Sequence, residues 1–189
     1  MAARYSATND SADRVLRFDI VSDTHGRLSD ELLAALKGAD LIMHAGDCCS
    51  TEDYRELRAI APLSMCLGNN DWGMDYGPDV ERMTRVFRCG LRWQLCHYEE
   101  RLDLATCDVA ICGHTHRPFI RWEQSPGGAG KVLVMNPGSP TFPRTSEGPT
   151  IGRVLVRQNG QIMHTEIVRL RGKDDEDTGG WSFARLFHR

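Results

Sequence analysis

Side chains that can bind a metal ion recur through the first two-thirds of the chain, almost always where an apolar run ends. In order they are Asp23 and His25, Asp47, Asn69, His97, His114 and His116. Each piece is ordinary by itself. Asp23-Thr24-His25 is also what a turn aspartate beside a surface histidine looks like, and Gly46-Asp47 is plainer still. Gly113-His114-Thr115-His116 says more, because histidines two apart at a strand exit can both turn toward one point. The combination is what carries chemistry. Two divalent cations bring four positive charges, Asp23 and Asp47 return two negative ones, and neutral His and Asn ligands add none, so the cluster stays positive and attracts a phosphate. A carboxylate shared between two ions sets their separation at about 3.5–4 Å, as a two-metal clamp requires. Asp47 is the candidate for that bridge. Mixed His, Asp and Asn donors admit Mn, Fe, Ni or Zn.

Such distant residues meet only if the elements between them bring the ends of several strands to one edge. Val15 to Val21 reads as a buried strand that breaks at Ser22-Asp23. Ser29 then looks like a helix N-cap, with Asp30 and Glu31 in the first turn, Leu32, Leu33 and Leu36 on one face, and Gly38 as the stop. The unit repeats: strand Leu41 to His44, loop Gly46-Asp47, a helix capped by Thr51 and running through Ile60, then strand Leu63 to Leu67. Alternating strands and helices imply right-handed crossovers and a mainly parallel sheet covered on both faces. In such a sheet the loops beyond the carboxyl ends of the strands converge on one crevice.

The second half reads as strands: Met83 to Phe87, Leu91 to Cys96, Val109 to Cys112, Phe119 to Trp122, Val132 to Met135, Ile151 to Val156 and Ile162 to Val168. A short helix is expected near Glu99 to Thr106. Asn159-Gly160 between the last two runs is a hairpin signal. The expected fold is α/β, a four-layer αββα sandwich of two mixed β-sheets flanked by helices. Residues 1–13 read as a flexible leader, 14–170 as the domain and 171–189 as a charged tail whose Trp181, Phe183, Leu186 and Phe187 form a small apolar face.

Composition narrows the class. The 189 residues suit one core, and 41% hydrophobic with 26% charged residues is globular rather than disordered or membrane-spanning. With 23 Lys plus Arg against 26 Asp plus Glu the net charge is −3, which gives no strong nucleic-acid signal. The seven cysteines are scattered without a C-x-x-C pair. That pattern, with no apolar leader and no spanning segment, points to a reducing, cytoplasmic setting and no membrane.

The ordered blocks SDTHG (22–26), HAGD (44–47), GNND (68–71), His97 and GHTHRP (113–118) resemble the calcineurin-like metallophosphoesterases. NPGS at 136–139 followed by Pro143-Arg144 is similar to their small bacterial and archaeal phosphodiesterase branch. The resemblance covers about residues 15 to 157. It implies that Asp23, His25, Asp47 and His116 hold one ion and Asp47, Asn69, His97 and His114 the other, with Asp47 bridging and manganese the first expectation. It also implies in-line attack of a metal-bridging hydroxide on phosphorus, with Asp47, Asn69 and His97 positioning hydroxide and phosphate through the metals.

Two departures stand out. Larger members carry His after the ligand Asn, where it is thought to protonate the leaving group. This chain has Asn70, which offers a hydrogen bond but no proton, so diesters and activated esters are favoured over alkyl monoesters. Where the family usually has His-Gly-His, this chain reads Cys96-His97-Tyr98-Glu99.

His44 and Asp71 are expected to support ligands rather than to bind metal. Cys48 and Cys49, beside Asp47, read as packing residues. Arg144 is either a phosphate contact or a solvated arginine, and Asn136-Pro137-Gly138-Ser139 is turn chemistry whose amides are candidates to face the site. The expected function is a binuclear-metal phosphodiesterase acting on a small-molecule phosphate ester. The alternative is a non-catalytic scaffold of the same fold, like the retromer subunit. The substrate's identity and a homo-oligomeric state are left open.

Overall fold

A computed structural model describes residues 14–128 and 130–170. The leader 1–13 and the tail 171–189, with its Trp181, Phe183, Leu186 and Phe187, lie outside the described residues. The chain runs β1 (Val15–Val21), α1 (Asp30–Leu36), β2 (Leu41–His44), α2 (Thr51–Ile60), β3 (Leu63–Met65), β4 (Met83–Arg88), β5 (Leu91–Cys96), β6 (Val109–Ile111), β7 (Phe119–Gln124), β8 (Lys131–Asn136), β9 (Thr150–Arg157) and β10 (Ile162–Arg169).

Two five-stranded mixed sheets result. The first has the order β10-β9-β1-β2-β3 and the second β4-β5-β6-β8-β7. In the first, β1, β2 and β3 are parallel, β9 runs against them, and β10, antiparallel to β9, runs with them again at the edge. In the second, β5, β6 and β8 are parallel, with antiparallel β4 and β7 at the edges. Strand alternation explains the stacking. Phe18 and Ile20 of β1 and Leu41 and Met43 of β2 point inward and meet Trp93, Leu95, Val109, Ile111, Leu133 and Met135 of the second sheet. Phe18 and Trp93 make ring contact at 5.2 Å.

Val21 and Ile42, each one residue out of phase with those inward positions, face outward and pack with Ile151 against Leu32 and Leu36 of α1 and Leu57 of α2. Ser29 caps α1 by accepting from the Leu32 amide at 3.2 Å. No basic residue lies in the last turn of α1; Arg17 from β1 instead donates to the Leu36 and Lys37 carbonyls, at 3.2 and 2.6 Å, and satisfies that end.

Some elements differ from expectation. Ser50, not Thr51, caps α2: its hydroxyl accepts from the Asp53 amide at 3.1 Å, while the Thr51 hydroxyl turns to Glu52. β3 stops at Met65, where the chain leaves the sheet to bridge Cys66 with Glu81. The expected helix at 99–106 is a single 3₁₀ turn at Glu99–Arg101. Leu102, Leu104 and Cys107 of that segment still cover Ala110, Val132 and Val134 on the outer face of the second sheet. The fourth layer is therefore a loop, because Asp103 is held by Gln94 Oε1 at its amide and its own carboxylate folds back onto Ala105 and Thr106.

Candidate metal centre

The carboxyl ends of β1, β2, β5 and β6 lie side by side, so the loops after them share one edge. Backbone bonds join the first two loops directly. The Asp23 amide donates to the Gly46 carbonyl, His25 to Asp47 and Gly26 to Cys48, at 3.0, 3.0 and 2.7 Å. These bonds force an unusual backbone. Asp23, His25, Asp47, His114 and His116, five of the seven expected ligands, all have φ between 49° and 66°. Asp and His visit the left-handed region more readily than most residues, but its clustering marks a place where surrounding structure overrides local preference.

Glycine is required where these loops touch. A Cβ on Gly68 would lie 2.1 Å from Asp47 Oδ1, and one on Gly113 would lie 1.9 Å from Ser22 Oγ.

Five of the seven side chains converge on the carboxylates of Asp23 and Asp47, which are two of the five. Asp23 Oδ1 lies 3.2 Å from His116 Nε2 and 3.9 Å from both His25 Nε2 and His97 Nε2. Asp47 Oδ2 lies 3.4 Å from His97 Nε2 and 3.9 Å from His25 Nε2. The Nε2 atoms of His25 and His116 are 3.3 Å apart. Asn69 Oδ1 sits 3.1 Å from His97 Nε2 and 3.0 Å from His114 Nδ1. Two compact donor groups stand out, Asp23/His25/His116 and Asp23/Asp47/His97. Asp23 belongs to both, Asp47 reaches a histidine of each, and the exposed His114 joins through Asn69.

The donors fit a cation. Asp23 is fully buried, yet its Oδ1 accepts no hydrogen bond, while Oδ2 is engaged by Ser22 Oγ at 2.7 Å and the His114 amide at 3.1 Å. A buried carboxylate oxygen left bare among ring nitrogens is costly without a positive partner. The histidine tautomers agree. His97 Nδ1 donates to the Ala45 carbonyl at 2.8 Å and His116 Nδ1 to the Phe142 carbonyl at 2.6 Å, so each presents an unprotonated Nε2 when neutral. His25 Nδ1 lies 3.8 Å from Cys49 Sγ.

Burial alone would push the Asp47 carboxyl up, but its contact with His97 and two hydrogen bonds from Asn70 outweigh that and hold it below the ordinary carboxylate range. The Asp23 carboxylate beside His116 raises that histidine against the pull of burial. For His97, burial works downward and is overcome by Asp47 and Asp23, so its value is also raised.

The supporting residues hold loops rather than ligand positions. Asp71 accepts four hydrogen bonds: Oδ2 from the Asp47 and Gly68 amides at 2.8 and 2.7 Å, and Oδ1 from the Cys49 amide and Tyr76 hydroxyl at 2.8 and 2.9 Å. His44 is fully buried, accepts from the Gly46 amide at Nδ1 and faces Thr24 Oγ1 with Nε2. Burial lowers its pKa to about 4, which keeps it neutral. Asn70 gives its amide and side chain to Asp47 at 2.7 and 2.6 Å. Cys48 packs with Met65 and Tyr76, and burial pushes its thiol up to about 12, as it does that of Cys49.

Ser22, Phe142 and Tyr98 join the site without standing out by residue type, and Asn136 and Ser139 join it through their side chains rather than their turn amides. Tyr98 packs on the His114 ring at 4.6 Å. Only the NPGS block signalled any of them, and composition reads it as a turn. A separate cleft of about 720 Å³ opens between β3 and β4 and contains none of the candidate ligands.

Comparison with known proteins identifies the family. Residues 16–159 fit the model of the calcineurin-like phosphoesterase superfamily domain. A probable metallophosphoesterase from Methanothermobacter thermautotrophicus is 33% identical over 168 residues, covering 79% of this chain and 90% of the relative. The fold is similar to the crystal structure of a metallophosphoesterase from Sphaerobacter thermophilus, with TM-score 0.58, 17% identity and coverage of 82% of this chain and 89% of that one. It is also similar to Vps29 from Entamoeba histolytica complexed with Zn²⁺, with TM-score 0.53, 18% identity and coverage of 82% and 100%. At these identities the two structures speak for the fold alone. With three-quarters of its length in the family's model and its donors gathered at one sheet edge, the chain belongs to the calcineurin-like phosphoesterase superfamily.

Proposed function

We propose that the protein is a phosphodiesterase that works with two divalent ions, manganese first among them, and hydrolyses a small-molecule phosphate ester. The observation that carries this reading is the bare, buried Asp23 Oδ1 facing three histidine Nε2 atoms. Asp23, His25 and His116 would hold one ion, Asn69, His97 and His114 the other, and Asp47 would reach both. Bound ions of this class withdraw charge from phosphate oxygens and make water a better nucleophile at neutral pH.

The chain's own residues then orient and select. Ala45 and Phe142 carbonyls fix the tautomers of His97 and His116. Asn70 locks Asp47 with one amide hydrogen of its side chain and keeps the second for the leaving oxygen. With no histidine at that position, leaving groups that need a proton react slowly, which favours diesters over alkyl monoesters. A cytoplasmic setting suits the seven cysteines, which form no disulfide. No helix among the described residues is long and apolar enough to cross a membrane.

The alternative, a scaffold without turnover, draws on the shared fold with Vps29. One experiment separates the two. Chelator-stripped protein is assayed on a chromogenic phosphodiester and its matching monoester, with and without manganese, beside His97→Ala and Asp47→Asn, and metal content is measured. Two ions per chain and metal-dependent turnover that prefers the diester and is lost in both variants support the enzyme. A protein that binds metal and leaves both esters intact is the scaffold.

A further inference from the structure

The 136–142 segment, whose turn chemistry alone assigns it no role, is tied into the metal centre at four places. Asn136 Nδ2 donates to the Gly113 carbonyl at 2.8 Å, Ser139 Oγ to the Asp23 carbonyl at 2.8 Å, and Thr141 Oγ1 to the Thr24 carbonyl at 3.1 Å. At the end of the segment the Phe142 carbonyl accepts from His116 Nδ1 at 2.6 Å, while the Phe142 amide donates to Ser139 Oγ at 2.9 Å. The Phe142 backbone is thus pinned on both sides, and its side chain starts from a defined point.

That side chain is 51% exposed. Its ring stands edge-on to the His25 ring, with centroids 5.5 Å apart and 70° between the planes. Single exposed apolar residues are common and need no explanation. This one differs because the hydrogen bonds that orient the donors also hold it against one of them. On the opposite side Tyr98 is already covered, by His114 at 4.6 Å and by the Arg101 guanidinium at 4.6 Å. Phe142 offers exposed aromatic surface in ring contact with one of the donors.

We propose that Phe142 is a specificity-determining residue that stacks on an aromatic group of the ester, which makes nucleoside phosphodiesters, rather than glycerol phosphodiesters, the substrate class. The inference rests on the phosphoesterase reading. With the phosphate at the donor cluster, the nucleoside reaches past His25 and lays its base on the Phe142 ring. A base has a flat π-face to offer, whereas glycerol has none.

The test titrates the manganese-loaded full-length protein with adenosine 5′-monophosphate and with ribose 5-phosphate, which share phosphate and sugar and differ by the base. Calorimetry should find the nucleotide bound about tenfold more tightly, the size expected of one base–aromatic stack. In Phe142→Ala that ratio should fall to about one, and Phe142→Tyr, which keeps the ring, should retain most of it. Equal affinities in the wild type, a ratio that survives Phe142→Ala, or binding of neither ligand overturns the proposal. Loss of the phosphodiesterase reading registers separately, as absence of turnover on every ester, because the binding ratio is read without catalysis.

Discussion

Asn70 grips Asp47 at both carboxylate oxygens, its backbone amide on Oδ1 at 2.7 Å and its side-chain amide on Oδ2 at 2.6 Å. Asn70 is thus a clamp on the carboxylate proposed to touch both ions. Replacing Asn70 with Ala removes one charge-assisted bond and keeps the backbone one. Metal affinity and kcat/KM should fall about 10- to 100-fold, the usual cost of losing a ligand's orienting partner. Calorimetric manganese titration of Asn70→Ala checks this, and an unchanged affinity would refute it.

Asp71 contributes through stability. Its carboxylate collects four donors, three backbone amides from two loop segments and the Tyr76 hydroxyl. In Asp71→Asn one oxygen becomes an NH₂ that faces two donors, so buried N–H or O–H groups lose their acceptor. A loss of about 3 kcal/mol is expected, or about 6–12 °C in Tm for a domain of this size. Differential scanning calorimetry of the metal-free variant reads it directly.

Gly68→Ala should separate folding from metal binding. The added methyl would sit 2.1 Å from Asp47 Oδ1 and 2.3 Å from the Asp47 amide. The β2 loop must move to accept it, taking Asp47 away from His97. The variant should fold with near-native circular dichroism while its metal content drops by at least about one ion per chain, measured by elemental analysis. Full occupancy would show that the loop yields without disturbing the donors.

The two raised histidines set a pH dependence. His116 beside Asp23, and His97 lifted by Asp47 and Asp23 against burial, hold protons more tightly in the metal-free fold than in the unfolded chain. A raised value contributes stability that is complete below the unfolded value of about 6.5 and is lost as pH climbs through the folded one. Metal binding must expel those protons, so the two effects run in opposite directions. The metal-free Tm should decline as pH rises above about 6.5, and the rise in Tm on adding manganese should be larger at the higher pH. An increment that is flat or larger at about pH 6 would contradict this assignment.

Strands and donors were legible in the chain for separate physical reasons. β1, β2 and β5 fall where runs of branched and aromatic residues end in Gly, Asp or His, because a buried strand needs apolar side chains on both faces and its exit needs turn residues. Less was legible where local chemistry competes. Ser50 and Thr51 are equally good caps by type, and only the backbone conformation of Ser50 decided between them. Glu99 to Thr106 looks helical by composition, but Gln94 from β5 captures the Asp103 amide and stops it after one turn.

The sequence by itself determined which side chains are candidate donors, since residue type and position at strand ends are local properties: the seven candidates, the two α/β units and the sandwich follow from it. Only the tertiary structure decided how they are held. The left-handed backbone of Asp23, His25, Asp47, His114 and His116 exists because hydrogen bonds between loops far apart in the chain enforce it. The placement of Ser139 and Phe142 against Asp23 and His116 likewise spans more than a hundred residues in one case and twenty-six in the other. No local pattern encodes a contact of that range. It arises when two sheets pack and their edges align.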